Sequence, residues 1–263
     1  TNAKIRMMPL QVKPFESDEN WSAYKDRFLP CIIQPGDEYV RKALEDIRYH
    51  DYAATVTDTR NWDEYIDLSR ISDEKGFGWI GEQFRNNDDI RSFGDFQYFE
   101  GIGLDYIGTS WFESCEKLSN ISLPNSARRI EARAFAFCPR LRSITLPTQV
   151  AEIQNDVFAG CSNLTTIIVP SGKPATLKGT NQFEKNSGLK IYVPDSVVTL
   201  YKQQWTEYKD YIVGMKDYPY SKVVTVTGVG QLASKLGLHV VEDNAPGYNT
   251  EVRWLEGPYT MYD

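Results

Sequence analysis

The chain has 263 residues, 41% of them apolar and 25% charged, which is typical of a folded globular protein and argues against disorder. Its formal net charge of −7 argues against a general nucleic-acid binder, because such a protein needs a basic surface. No apolar run approaches the roughly 20 residues that a membrane-spanning helix requires.

Residues 1–89 contain no internal repeat, and apolar residues at helical spacing predict three helices there. The predicted helices cover residues 19–29, 37–49 and 61–71. Gly36 and Asp37 provide a start for the second helix, in which Val40 and Leu44 lie on one stripe. Because the first turn of a repeat array needs a cover for its apolar end, we interpret residues 1–89 as a helical cap.

An internal repeat occupies the middle of the chain. Cys115, Cys138 and Cys161 stand 23 residues apart, within the phrases FESCEKLSNISLP, FAFCPRLRSITLP and FAGCSNLTTIIVP. A fixed period of this size is typical of a solenoid, in which each turn buries its apolar face only against its neighbours. The repeat also favours a binding function, because stacked turns present a regular surface and no obvious reactive cleft.

Four columns of recurring residues align the turns between residues 107 and 194. They are Ile107, Ile130, Ile153 and Leu177; Phe112, Phe135, Phe158 and Phe183; Leu118, Leu141, Leu164 and Leu189; and Pro124, Pro147, Pro170 and Pro194. Each turn also carries a strand whose alternation places two residues inward, namely Ile121 and Leu123, Ile144 and Leu146, Ile167 and Val169, and Ile191 and Val193. The proline after each strand ends it. The fourth turn is irregular, as a terminal turn should be.

The segment after Pro194 predicts a capping helix. Residues 195–212 carry apolar and aromatic residues at helical spacing, and Asp195 and Ser196 offer a cap at the start. We expect the aromatic stripe of Tyr201, Trp205 and Tyr208 to close the open end of the array.

A change of pattern marks the C-terminal part of the chain. Residues 223–228 and 238–243 predict strands, and residues 231–237 predict a short helix between them. The predicted fold class is therefore α+β, with three regions. These are an N-terminal helical cap over 1–89, a short solenoid of stacked repeats with a capping helix over 90–214, and a small α+β tail over 215–263.

The repeat resembles a known family. The phrases CEKLSNISLPNSARRIEARAFAFC and CPRLRSITLPTQVAEIQNDVFAGC are similar to the BspA-type leucine-rich repeat, and the resemblance extends over roughly residues 90–212. The phrase SFGDFQYFEGIG resembles the lead-in to such arrays, and IYVPDSVVTLYKQQW resembles their closing segment. VVTVTGVGQLASKLG is similar to segments that precede a further repeat block, so the resemblance implies a longer parent protein.

The resemblance implies a bacterial protein that is secreted or lies on the outer cell surface, and adhesion is proposed for some members of the family. It implies no catalytic residue and no cofactor, and a lipid anchor outside this chain would be the only attachment to a membrane. The chain begins at Thr1 without a signal-peptide apolar segment, as a mature or a trimmed chain would, so this sequence cannot show its own export signal. Residues 50–69 lack the D-x-D-x-D-G spacing of a calcium loop, so we predict no metal site there.

The three repeating cysteines admit several interpretations. Equivalent residues of stacked turns lie roughly 4.8 Å apart, and disulfides join Cα atoms ~5.5 Å apart, so distance alone allows a disulfide. Parallel side chains do not converge, however, and the next residue in the column is Asn186, which favours packing over redox chemistry. A zinc site would need convergent ligands, and both histidines lie far away in sequence. We therefore predict buried structural thiols.

An enzymatic function has little support in the sequence. The chain contains no G-x-S-x-G, no H-E-x-x-H and no P-loop. Residues 101–108 and 228–237 contain G-x-G without completing a dinucleotide fingerprint. We predict that the protein is not an enzyme.

The outward residues of the predicted strands form the candidate ligand-binding face. They are Asn120, Ser122, Ser143, Thr145, Thr166, Ile168, Lys190 and Tyr192. Their hydroxyl groups suit many small hydrogen bonds to a protein or a glycan, although a Ser/Thr ladder also simply suits strand pairing. Ile168 and Tyr192 are the expected anchor, because exposed aromatic residues concentrate binding energy. The alternative site is a basic patch of Arg128, Arg129 and Arg133, which a solvated surface explains equally.

These features favour a non-enzymatic binding or adhesion protein at the cell surface or outside the cell, with a protein or polysaccharide ligand. A structural spacer that displays other modules of a longer parent remains an alternative. A second alternative is a glycan-binding accessory protein of a nutrient-uptake system.

Overall fold

The structure is a computed structural model that describes residues 5–7, 23, 28–30, 32–33, 35–51, 66–68 and 77–219. Residues 1–214 form one compact unit, and residues 215–263 form a second. Within the described part of the chain, no helix has the length and apolarity that crossing a membrane would require.

Helix α1 (Glu38–Asp51) begins where the sequence predicts a helix. The carboxylate of Asp37 accepts hydrogen bonds from the backbone N–H groups of Tyr39 and Val40, at 2.9 and 3.4 Å, and so caps the first turn. Its second oxygen accepts the N–H groups of Arg91 and Ser92, at 2.7 and 2.9 Å. Asp37 therefore joins the N-terminal helix to the start of the repeats.

The other two predicted N-terminal helices are wrong where the structure describes them. Strands β1 (Ile5–Met7) and β2 (Phe28–Pro30) pair in parallel, and β3 (Ile32–Ile33) and β4 (Ile66–Asp67) pair antiparallel. Leu29 precedes a proline, which disfavours the helical conformation. Ile66 lies opposite Ile33, and both are buried, so pairing between distant segments overrides the local helical spacing. The remainder of these two predicted helices lies outside the described residues.

An aromatic cluster forms the boundary of the first turn. Helix α2 (Trp79–Phe84) is followed by strand β5 (Ser92–Phe93) and a 3₁₀ helix over Gly94–Ile102. Phe84, Phe93, Phe96 and Phe99 are fully buried, and the ring centres of Phe96 and Phe112 lie 5.1 Å apart. Four buried rings therefore cover the N-terminal end of the phenylalanine column.

The repeats form two sets of parallel strands, one on each side of the turns. The strands of the first sheet are β6 (Tyr106–Ile107), β8 (Arg129–Ile130), β10 (Glu152–Ile153) and β12 (Thr176–Leu177). The other strands of the repeats are β7 (Asn120–Ile121), β9 (Ser143–Thr145), β11 (Thr166–Ile168), β13 (Lys190–Val193) and β14 (Ile212–Gly214). The first sheet has the order β12-β10-β8-β6 and the second has the order β14-β13-β11-β9, while β7 pairs with β5. Each turn therefore pairs with the next along the chain.

The phenylalanine column is a continuous stack through the core. Ring centres lie 5.4 Å apart between Phe112 and Phe135, 5.3 Å between Phe135 and Phe158, and 5.9 Å between Phe158 and Phe183. The isoleucine and leucine columns are buried as well, except Leu177, which is partly buried. The predicted core is thus confirmed within the repeats, and burial of these side chains is the main source of their stability.

Backbone hydrogen bonds across the corner of each turn fix the spacing of the stack. The N–H of Phe135 donates to the carbonyl of Val157 at 2.9 Å, and the N–H of Phe137 donates to that of Ala159 at 2.7 Å. Two residues before and two residues after Phe112, Phe135 and Phe158 the backbone has positive φ, as at Arg133 and Phe137 (both 60°), whereas at Phe183 only the preceding position, Asn181, does. This conformation, which costs a non-glycine residue roughly 1–2 kcal/mol, turns the N–H groups toward the next turn.

Side chains complete these hydrogen bonds at the C-terminal end. The N–H of Gly160 donates to Oε2 of Glu184 at 2.9 Å, and the N–H of Phe183 donates to the hydroxyl of Tyr208 at 3.3 Å. Nε1 of Trp205 donates to the carbonyl of Ala175 at 2.8 Å. Polar atoms of the terminal segment therefore take the place that a further turn's backbone would have.

The continuous helix predicted over residues 195–212 is wrong. A 3₁₀ turn (Asp195–Val197) precedes helix α3 (Val198–Gln204), a second 3₁₀ turn covers Thr206–Tyr208, and the segment ends in β14. The cap residue of α3 is Val197, which makes no capping side-chain hydrogen bond. The helix stops at Trp205 (φ −99°, ψ 57°), whose indole bonds into the core, and β14 then extends the second sheet.

The aromatic residues of this segment pack on the last turn as the sequence predicts. Trp205 and Tyr208 lie 5.5 and 5.1 Å from Phe183, centre to centre. In the second unit, Met215–Asp217 form a 3₁₀ turn, and the predicted strands and helix of the tail lie outside the described residues.

Candidate functional site

The outward residues of β7, β9, β11 and β13 form a band of short polar side chains, here called the hydroxyl strip (Asn120, Ser122, Ser143, Thr145, Thr166 and Lys190). Parallel pairing places Ser143 beside Thr166, and Thr166 beside Lys190. Asn120 and Lys190 are exposed, and the other four are partly exposed. Nδ2 of Asn120 donates to Oγ of Ser92 at 3.2 Å, which extends the strip by one strand. The strip offers several hydroxyl and amide groups at a spacing of roughly 4.8 Å.

The anchor predicted within this face is wrong. Ile168 and Tyr192 are only 3% and 7% exposed, although the alternation places both outward. Ile168 lies in register between Thr145 and Tyr192, and Tyr192 lies between Ile168 and Val213. Large side chains in adjacent strands cover one another, because neighbouring strands are roughly 4.8 Å apart. The accessible part of the face therefore lacks the aromatic group that the sequence suggested.

The predicted basic patch divides into residues with different surroundings. Arg128 is exposed. The Arg129 guanidinium lies 5.9 Å from the centre of the Tyr106 ring, and its Nε lies 3.4 Å from a carboxylate oxygen of Glu131. Arg133 binds the buried carboxylate of Glu113 in the preceding turn, with Nε at 3.1 Å from Oε1 and Nη2 close by. Arg133 therefore serves the structure more than a ligand.

Glu113 is a buried carboxylate held between two arginines. Nη2 of Arg85 lies 3.2 Å from its Oε2, opposite the contact with Arg133. Burial by itself would raise the pKa of Glu113, but hydrogen bonds from Arg133 and Ser110 and the two positive charges outweigh it and lower the pKa below its usual range. The repeat pattern does not single out this group, because the matching positions of the next two turns are Ala136 and Ala159, although Glu184 follows Phe183 in the last turn.

The three repeating cysteines are buried and free, as predicted. Each thiol donates to a carbonyl near the preceding ring. Cys115 Sγ lies 3.0 Å from the oxygen of Phe84, Cys138 Sγ lies 3.1 Å from that of Phe112, and Cys161 Sγ lies 3.0 Å from that of Phe135.

The environment of these thiols suppresses their reactivity. Burial raises the pKa of Cys115 to about 12, and the neighbouring Cys161 thiol together with burial raises the pKa of Cys138. A thiolate is the reactive form, so Cys115 and Cys138 are poor nucleophiles. The amide of Asn186 continues the column by donating to the carbonyls of Cys161 and Leu164, at 2.8 and 3.0 Å.

Phe137 is an accessible aromatic residue that repeat analysis missed. It is 47% exposed, and its ring lies over Gly160, where an added Cβ would approach a ring carbon to 2.5 Å. The Arg133 guanidinium lies 5.4 Å from the ring centre. The equivalent positions are Ser114 and Gly160, so the column itself requires no aromatic residue there.

Comparisons with known proteins assign the repeats. Residues 90–209 match the BspA type leucine rich repeat region in six copies. These residues are therefore a BspA-type leucine-rich repeat region, and proteins with such repeats are typically surface proteins. The match confirms the family resemblance seen in the sequence.

A solved structure shows partial similarity to the chain. A leucine rich cell surface protein from Faecalibacterium prausnitzii A2-165 is 20% identical, with a TM-score of 0.30. The similarity covers 51% of this chain and 40% of that chain. No curated protein matches.

Proposed function

We propose that the chain is a non-enzymatic recognition module at the cell surface or outside the cell, and that its hydroxyl strip binds a protein or polysaccharide ligand. The observation that supports the proposal is the strip itself, a row of accessible Asn, Ser, Thr and Lys side chains on parallel strands. The BspA-type repeats support the location, because they are typical of surface proteins.

The chemistry of the strip suits a ligand that makes many weak contacts. A neutral hydrogen bond contributes only about 0.5–1.5 kcal/mol, so no single hydroxyl group carries the affinity. The backbone ladder already fixes the spacing of these residues, so ligand binding costs the freedom of their side chains but no backbone ordering. We therefore expect the ligand to lie across several strands.

The experiment blocks the strip at its centre. The full chain is immobilised and tested against a panel of extracellular matrix proteins and polysaccharides, and Ser143→Tyr is compared with Gln149→Tyr. Tyrosine suits a strand, so Ser143→Tyr keeps the fold and covers its neighbours. Gln149 is exposed beyond Pro147, outside the strip. We expect Ser143→Tyr to weaken binding at least about tenfold and Gln149→Tyr to leave it unchanged.

Burial of Ile168 and Tyr192 favours one alternative, a structural spacer, because it removes the expected anchor from the accessible surface. A spacer binds no member of the panel. Binding that survives Ser143→Tyr would contradict the assignment of the strip.

A further inference from the structure

The first sheet presents a second outward surface, here called the β6–β12 face. In register along one row lie Tyr106, Arg129, Glu152 and Thr176. The next outward row is Gly108, Glu131, Gln154 and Lys178, as the 2.8–2.9 Å backbone hydrogen bonds from Glu131, Gln154 and Lys178 to the preceding turns show. The inward neighbours of these rows belong to the isoleucine column, so the polar side chains all lie on the outer side.

An aromatic corner begins this face. The ring centres of Tyr106 and Trp111 lie 5.1 Å apart. Trp111 is buried against Gly108, where an added Cβ would lie 2.2 Å from the indole, so only glycine permits this packing. Tyr106 packs on Trp111 and carries the Arg129 guanidinium over its ring, 5.9 Å from the centre, so the part of the ring that stays exposed lies beside that arginine.

Planar polar side chains continue the face in fixed positions. The Arg129 guanidinium is held by the ring of Tyr106 and by Glu131, yet its side chain is 56% exposed. Nε2 of Gln154 donates to the carboxylate of Glu152. These contacts orient the polar groups before any ligand arrives, which lowers the entropy cost of binding.

The charge of the face argues for a neutral ligand. Arg129 and Lys178 offset Glu131 and Glu152, so the formal charge of the eight positions is zero. A face with no net charge offers a polyanion no net attraction, and a nucleic acid needs a basic surface.

We propose that the β6–β12 face binds a neutral polysaccharide. An aromatic ring stacks on the C–H face of a sugar, and carboxylate, amide and guanidinium groups bind its neighbouring hydroxyl groups. The rows repeat every roughly 4.8 Å. This repeat is close to the length of one hexopyranose unit in a β-1,4-linked chain, so successive strands meet successive sugars.

The test is affinity electrophoresis of the full chain in gels that contain hydroxyethylcellulose, galactomannan or, as the anionic comparison, polygalacturonate. We expect a neutral polysaccharide to retard the wild type and polygalacturonate to have no effect. Tyr106→Ala should weaken the interaction at least about tenfold, because an aromatic platform is the usual centre of such a contact. Because Tyr106 also packs on Trp111, Arg129→Ala and Glu152→Ala provide tests at more accessible side chains, with an expected loss of about threefold or more.

The control variant is Arg142→Ala, an exposed arginine beside β9 that removes the same charge as Arg129→Ala. Retardation lost equally in Arg142→Ala and Arg129→Ala would overturn the proposal, as would no retardation by either neutral polysaccharide. Ser143→Tyr separates this proposal from the hydroxyl strip. If Ser143→Tyr abolishes retardation while Tyr106→Ala and Arg129→Ala leave it unchanged, the polysaccharide lies on the hydroxyl strip. That result would overturn the assignment to the β6–β12 face.

Discussion

Phe135 and Phe137 provide a matched test of the phenylalanine column. They lie two residues apart in one turn, but Phe135 is fully buried whereas Phe137 is 47% exposed. Phe135 stacks on Phe112 and Phe158 with interplanar angles of 4° and 7°. The same substitution to alanine therefore removes a core ring in one variant and a surface ring in the other.

The structure sets the size of the expected effect. Truncation of a buried phenylalanine costs about 3–5 kcal/mol. The hydrogen bonds from Phe135 N to Val157 O and from Phe112 N to Ala134 O (2.9 and 2.8 Å) fix the spacing of the neighbouring turns. The cavity that Phe135→Ala leaves therefore does not collapse. We expect Phe135→Ala to cost about 4–5 kcal/mol, near the upper end of that range, and Phe137→Ala to cost less than about 1 kcal/mol.

The assay is equilibrium unfolding of the full chain in urea, followed by far-UV circular dichroism. Phe135→Ala should lower the midpoint strongly, while Phe137→Ala stays near the wild type. Phe137→Gly should equal or exceed the wild type, because φ is 60° at this position and glycine adopts that value without strain. Equal losses in Phe135→Ala and Phe137→Ala would refute the column.

Three further predictions concern titratable groups. Because the pKa of Glu113 is lowered in the fold, its carboxylate stabilises the protein above the unfolded pKa of about 4.3, and this stabilisation is lost as the pH falls. Glu113→Gln should therefore lower Tm at pH 7 but much less at pH 3. Burial raises the pKa of Asp95 to about 6, so the cost of ionising this carboxyl grows from about pH 4 and is complete above about pH 6. Asp95→Asn should therefore raise Tm at pH 8, and the gain should vanish below about pH 4. Cys115, Cys138 and Cys161 should resist iodoacetamide in the native chain and react after denaturation without reductant, as peptide mass mapping will show; native labelling of any of the three would contradict their burial.

The sequence predicted the repeat core well because the turns repeat one chemical pattern. Phe112, Phe135 and Phe158 recur in register, and so do the inward residues of β7, β9 and β11. Each turn therefore supports the assignment of the same core positions in the next turn. The first sheet, with strands β6, β8, β10 and β12, was not predicted. Its strands are two residues long, as in Arg129–Ile130, too short to show alternation.

The errors share one physical cause. Where residues 28–30 and 66–67 pair with distant segments, and where Trp205 bonds to Ala175, a contact far away in sequence decides the backbone conformation. Helical spacing reports only local preference, which tertiary contacts override. The prediction that Ile168 and Tyr192 are exposed failed for a related reason. Strand alternation gives the direction of a side chain, but it does not tell how much of that side chain its neighbours cover.

Hydrogen–deuterium exchange tests the central claim, that the outer faces of the stacked turns recognise a ligand. The full chain is measured with and without the panel component that binds most tightly. Amides in residues 119–122, 143–145 and 166–168 should gain protection if the ligand lies on the hydroxyl strip, and those around residues 106–108, 129–131 and 152–154 if it lies on the β6–β12 face. Protection confined to residues 37–51 or 198–214 would contradict the claim, because it would place recognition outside the repeats.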